Sequence, residues 1–168
     1  MPNKYWSVLN HLQIGKYAEY YTKMEFTSYG FEVFTSEVDD RGIDFIVKDA
    51  HGKFSEIQVK ALRGNGYVFA QKSKFNLNNT NLFMALLVFR EGKMPDIFLI
   101  PSSAWRSPNR VFVDRDYNKP NQKSDPEYGI NISNKNYEIL NQYEFEQSVT
   151  TCFAISEYLN VIGNRAKA

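Results

Sequence analysis

The apolar positions of the chain change period along its length, and the changes mark the elements. Over residues 9–29, Leu9, Leu12, Ile14, Tyr17, Ala18, Tyr21 and Met24 lie near one stripe at helical spacing, and Gly30 follows as a stop, which predicts an amphipathic helix. Residues 31–38 and 43–48 then read as two strands separated by Asp39-Asp40-Arg41-Gly42, a run of residues that turns and loops prefer. A third strand over 54–62 follows Asp49-Ala50-His51-Gly52, and residues 67–71 are expected to return across Gly64-Asn65-Gly66 as a meander. Residues 82–90 and 96–100 are nearly continuous apolar runs bounded by Glu91-Gly92 and Pro101. Such runs belong to interior strands covered on both faces, so helices are expected to cover the sheet.

Beyond Pro101 the pattern weakens. Residues 102–106 predict a short helix capped by a serine, 110–113 a strand, and 115–127, rich in Asp, Asn, Lys and Pro, a long surface loop. Residues 133–163 carry helical spacing in places, as at Phe145, Val149, Phe153 and Tyr158, and are read as structural cover, with 164–168 fraying. At 168 residues the chain is one domain's worth of protein, with a chemical core over about 9–101 and an extension over about 102–163.

Composition narrows the chemistry by exclusion. No apolar run is long enough to cross a bilayer, and the first residues lack the apolar stretch of a secretion signal, so neither a membrane nor an export route is expected. The single cysteine, Cys152, allows no internal disulfide, and with only His11 and His51 beside it no Cys/His zinc site can be assembled. A reducing cytoplasm is the expected location, and any metal must be held by oxygen. The 20 basic and 19 acidic side chains nearly cancel, so attraction for nucleic acid has to come from a local patch. No serine or cysteine nucleophile elbow and no Gly-rich phosphate loop is visible.

The strands flanking residues 49–53 hold the most informative pattern. With Ala50-His51-Gly52 as a three-residue hairpin loop and Gly52 left-handed, Asp49 pairs with Lys53 and Asp44 lies opposite Gln58. One face then carries Asp44, Glu56, Gln58 and Lys60, together with Ile46 and Phe54, while the other carries Ile43, Phe45, Val47, Ile57 and Val59. An antiparallel hairpin normally shows water one polar face, and that reading asks nothing of these residues. The other reading takes Asp44 and Gln58 as hard oxygen ligands suited to Mg²⁺ or Mn²⁺ in company with phosphate and water. Lys60, about 7 Å along the same face, would then polarise an attacking water or stabilise charge on a phosphate.

Gly42-Ile43-Asp44-Phe45-Ile46-Val47, a turn, and Glu56-Ile57-Gln58-Val59-Lys60 resemble the core of the PD-(D/E)XK nuclease superfamily, in the form where glutamine stands in the second acidic position. The helix containing Gly15-Lys16-Tyr17-Ala18-Glu19 and the loop Val38-Asp39-Asp40-Arg41-Gly42 resemble small stand-alone members, similar also to archaeal Holliday junction resolvases. The similarity spans about residues 12–75. It implies an α/β, restriction-endonuclease-like fold, a mixed central sheet flanked by helices. It also implies Asp44 as the metal ligand, Gln58 as the second ligand with the Val59 carbonyl beside it, Lys60 as the catalytic lysine, and Glu19 as a further ligand or water-positioning carboxylate. Gly15 and Ala18 are small enough to bring that helix close to the sheet. Ile43 replaces the family's common proline, and Gln58 lowers the charge available to a cation, a deficit Glu56 can offset as second choice.

For substrate, Arg63, Lys72 and Lys74 gather with Lys60 around the third and fourth strands, with Tyr67 and Phe69 between them, a mixture suited to phosphates and bases and equally to an ordinary edge strand protected by lysines. Arg106 and Arg110 flank Trp105, either a second such surface or a core plug. The expectation is a Mg²⁺- or Mn²⁺-dependent nuclease acting on DNA, for which the resemblance implies a homodimer. The alternatives are a non-catalytic nucleic-acid- or protein-binding module that keeps the fold, and a protein-interaction surface on an ordinary hairpin.

Overall fold

The computed structural model describes residues 2–35, 42–118 and 122–153. Helix α1 spans His11–Ser28 and opens with a reciprocal cap: Asn10 Oδ1 accepts from the Gln13 amide, and Gln13 Oε1 accepts from the Asn10 amide, both at 2.9 Å. Its buried row is Ile14, Ala18, Thr22 and Phe26, a strict four-residue spacing, and Thr22 can be buried because its hydroxyl bonds the Ala18 carbonyl at 2.7 Å. Tyr17 and Tyr21 flank that row, whereas Leu12 and Met24 of the expected stripe face outward at 71% and 60% exposure. The helix has more apolar residues than one face can hold, and the sheet takes the row that packs closest.

Strands β1 (Glu32–Phe34), β2 (Phe45–Lys48), β3 (Phe54–Arg63), β5 (Leu82–Phe89) and β6 (Asp96–Pro101) form a mixed sheet in the order β1-β2-β3-β5-β6. Only β3 and β5 run parallel, from Glu56 opposite Leu82 to Arg63 opposite Phe89. All eight residues of β5 are buried, as its unbroken apolar run requires, since each full burial of such a side chain is worth about 1.5–3 kcal/mol. One face packs against α1 and α3 (Phe145–Cys152) through Phe26, Phe45, Val47, Ile57, Phe83 and Leu87. The fold is thus α/β with a mixed sheet and flanking helices, as expected. The second face differs: it carries α2 (Tyr137–Asn141) and a separate three-stranded sheet.

That small sheet corrects the expected meander. Strand β4 (Gly66–Gln71) does not return along β3; it pairs with β8 (Glu127–Ile132), which also pairs with β7 (Phe112–Arg115). Glu127 ends the loop expected over 115–127, and residues 128–132 carry no expected element, since Gly129 and the polar stretch before it obscure an alternating Tyr-Gly-Ile-Asn-Ile pattern. Ala70, Ile130, Ile132, Phe112, Met84, Leu86 and Ile100 meet in one cluster between the two sheets, with Trp105 as a buried plug whose Nε1 donates to the Gly129 carbonyl at 2.9 Å. Trp105 is therefore core, and the Arg106 guanidinium beside it bonds the Leu77 carbonyl at 3.0 Å.

The hairpin forms as its turn residues dictate. Gly52 has φ +81°, the Asp49 carboxylate accepts from the His51 and Lys53 amides at 2.9 Å each, and the register runs from Lys48 opposite Phe54 to Phe45 opposite Ile57. Residues 36–41, the end of the strand expected over 31–38 and Asp39, Asp40 and Arg41 of the loop after it, lie outside the described residues, as does the predicted helical stretch from 154 onward.

Two glycines give opposite tests. A Cβ at Gly15, inside α1, would meet nothing within 4 Å, so the expected close approach there is absent, and Gly15→Ala should raise stability by about 0.5–1 kcal/mol in urea denaturation. A Cβ at Gly129 would lie 1.9 Å from the Tyr67 hydroxyl, so Gly129→Ala should cost about 1–3 kcal/mol, with Tyr67→Ala in the same chain recovering part of the loss.

Candidate active site

The side chains at even positions of β3 point toward the small sheet. There Gln58 lies beside Met84 and is only 5% exposed, and its Oε1 has no hydrogen-bond partner among the described residues. Leaving an amide oxygen buried and unpaired costs about 1–3 kcal/mol, so this atom calls for an explanation.

Asp44 reaches the same place by a departure from the ladder. Phe45 pairs with Ile57, yet the Asp44 amide also donates to the Ile57 carbonyl, at 2.9 Å, so two successive residues face one, in the manner of a bulge. The side-chain alternation shifts there: Ile43 packs in the cluster between the sheets and not with Phe45 and Val47 as the unbroken register predicts. Beyond this point Val59 has no backbone partner from β2, and its amide donates instead to Asp44 Oδ2 at 2.6 Å. The amide and carbonyl of one strand residue face the same edge, so the Val59 carbonyl lies on the edge that Asp44 occupies.

Asp44, Gln58, Val59 and Lys60 line a pocket of about 260 Å³. Its other walls are Gly42 and, from β4 and the turn after it, Phe69, Gln71 and Lys74. Gly42 has φ +72°, and a Cβ on it would stand 3.0 Å from Gln58 Nε2, so this position needs glycine for both conformation and space.

The other expected site residues are engaged elsewhere. Glu19 is not part of the pocket lining; its Oε2 accepts from Lys16 Nζ at 2.6 Å. That bond and the Glu19 charge raise the Lys16 pKa, with a smaller contribution from Asp44, so α1 does bring a charged pair within electrostatic range of the site. Glu56, the second-choice ligand, accepts from Asn79 Nδ2 at 2.8 Å, on the β5 side of the strand. Of the four expected nucleic-acid contacts only Lys74 lines the pocket. Arg63 instead clamps the start of the chain, donating to the carbonyls of Trp6 at 3.3 Å and Leu9 at 3.2 Å. Lys72 is paired with Asp114 and, at 2.5 Å, with Asp116. Tyr67 donates to Glu127 Oε1 at 2.7 Å, and burial with that bond pushes its phenol pKa up, which keeps it a neutral donor. These are pairings across loops and between strands, which spacing along one chain does not reveal. Conversely, Gln71 is not singled out by the sequence, and the packing of the small sheet against β3 brings it to the pocket.

The donor chemistry fits a hard divalent cation. Asp44 Oδ, the unpaired Gln58 Oε1 and the Val59 carbonyl are all oxygen, and no group of three or more His, Cys, Asp or Glu side chains that could hold a metal exists among the described residues. One carboxylate with two neutral oxygens leaves room for water and phosphate, the mode in which Mg²⁺ is commonly held.

No protein-family model matches the chain, and no curated protein matches it. Among solved structures it is similar to Hjc, a Holliday junction resolvase from the archaeal hyperthermophile Archaeoglobus fulgidus, with 9% identity over 74% of this chain and 88% of that one, at a TM-score of 0.46. It is also similar to the bacterial homing endonuclease I-Ssp6803I, with 18% identity over 80% of this chain and 94% of that one, at a TM-score of 0.46.

Proposed function

We propose that the chain is a divalent-metal-dependent nuclease of the PD-(D/E)XK type, hydrolysing phosphodiester bonds in DNA. The observation that carries this reading is the buried, unpaired Gln58 Oε1 beside the Asp44 carboxylate, in a pocket that Lys60 and Lys74 also line. Asp44, Gln58 and the Val59 carbonyl would hold Mg²⁺ or Mn²⁺. When bound, such an ion supplies Lewis acidity toward a phosphoryl oxygen.

The chain's own residues do the rest. The Val59 amide holds Asp44 Oδ2 in one orientation, so the carboxylate need not be ordered when substrate arrives. Lys60 places a positive charge where negative charge develops on the phosphate and can orient the attacking water. Lys74, on the opposite wall, is suited to a neighbouring phosphate. Glu19, held by Lys16, is assigned a positioning role for water, the part the family resemblance gives it.

A second reading, a binding module that keeps the fold without catalysis, is favoured by one specific feature: the second ligand position is the neutral Gln58, and among the described residues Asp44 is the one carboxylate that lines the pocket.

Cleavage of supercoiled, linear and branched DNA with Mg²⁺ or Mn²⁺ separates the two. Asp44→Asn, which keeps an acceptor for the Val59 amide, and Lys60→Met should each lower the rate by about 100-fold or more with the circular dichroism unchanged. No cleavage of any substrate by the wild type, with no metal bound at millimolar concentration, would establish the binding module instead. Calorimetric titration with Mn²⁺ gives an independent check: Gln58→Glu should tighten binding by about tenfold through the added charge, and Gln58→Leu should weaken it.

A further inference from the structure

One side chain lining the pocket has no part in metal-assisted hydrolysis. It is Phe69 on β4, 47% exposed and backed by its neighbours. Tyr67, two residues earlier on the same face, stacks on it with ring centroids 6.3 Å apart and planes 24° from parallel. Tyr67 is itself fixed by its 2.7 Å bond to Glu127 and by the Arg115 guanidinium 4.5 Å from its ring centroid. Gly129, opposite Phe69 across the β4–β8 ladder, leaves the space in which Tyr67 lies. An exposed ring is ordinary; an exposed ring backed by a second ring that is itself hydrogen-bonded and covered by a guanidinium, and facing a pocket lined by Asp44, Lys60 and Lys74, is a preformed aromatic surface beside a polar site.

We propose that Phe69 is the stacking platform for an unpaired nucleobase, on the strand whose phosphate occupies the Asp44–Lys60 pocket. The substrate class is then DNA that presents an unstacked nucleotide at that point, in single-stranded or branched form, in preference to uninterrupted duplex. In a continuous duplex each base face is already covered by its neighbours, so Phe69 gains nothing from it; an unpaired base offers a free π-face with little unstacking cost. The inference rests on the proposed function for the identity of the phosphate site.

The test is binding without turnover: in EDTA, branched DNA carrying one unpaired 2-aminopurine, and the same sequence fully paired, are titrated with the wild type, Phe69→Leu and Phe69→Trp. The wild type should quench the unpaired 2-aminopurine and prefer the branched DNA. Phe69→Leu should weaken that binding by about tenfold and lose the quenching, leaving the paired duplex unaffected, while Phe69→Trp should retain both. Equal binding by wild type and Phe69→Leu, equal weakening by leucine and tryptophan, or no binding of either DNA by the wild type would overturn it. Metal titration of the same preparations keeps the two proposals apart: quenching without metal binding or cleavage defeats the nuclease and spares the stacking site, and cleavage with an indifferent Phe69 does the reverse.

Discussion

The hydrogen bond from the Val59 amide to the Asp44 carboxylate exists because the β2–β3 ladder ends one residue early. Strand β3 is held by β5 from Glu56 to its end at Arg63, so its other edge can lose a backbone partner there without the strand fraying. At the lost position a carboxylate takes the place of a carbonyl. A charge-assisted bond of this kind is stronger than the neutral one it replaces, and it fixes an acid at the rim of the core where an ordinary hairpin would have continued into solvent.

The same strand serves two faces. Its odd residues, Ile57 above all, join the helices α1 and α3 through a dense set of aromatic contacts around Phe26. Its even residues face the small sheet, where apolar packing from Met84, Ile130 and Phe112 closes over most of the surface and stops short of Gln58. An amide buried at that boundary is costly to leave unpaired, and Gly42, by lacking a Cβ, is what lets the loop backbone come against it. The pocket is thus a seam between two packed layers, with its ligating atoms on one layer and Phe69, Gln71 and Lys74 on the other.

The small sheet also accounts for residues that looked suited to nucleic acid. Lys72 and Tyr67 spend their polar groups on Asp114, Asp116 and Glu127, acids contributed by β7, the chain just after it and β8. These pairs tie the later half of the chain to β4. Among the described residues the cations that line the pocket are Lys60 and Lys74, and the exposed aromatic ring there is Phe69.

Much was determined by local sequence. Asn10 and Gln13 start α1, Asp49 and Gly52 set the hairpin and its register, and the apolar run from Leu82 to Phe89 demands a strand covered on both sides; each depends on residues within one or two turns of each other, so spacing alone reveals it. Asp44, Gln58 and Lys60 stood out in the sequence through their resemblance to a known core; the hairpin register sets Gln58 and Lys60 on one face, whereas the bulge that turns Asp44 to the pocket is recorded by no spacing. The tertiary structure alone decided that β4 would leave β3 for β8, that Arg63 would clamp the Trp6 and Leu9 carbonyls, and that Glu56 would answer Asn79. It also decided which of the aromatic and basic residues on β4 and its following turn would reach the pocket. These outcomes depend on partners 23 to 66 residues away, and no local pattern records which partner wins.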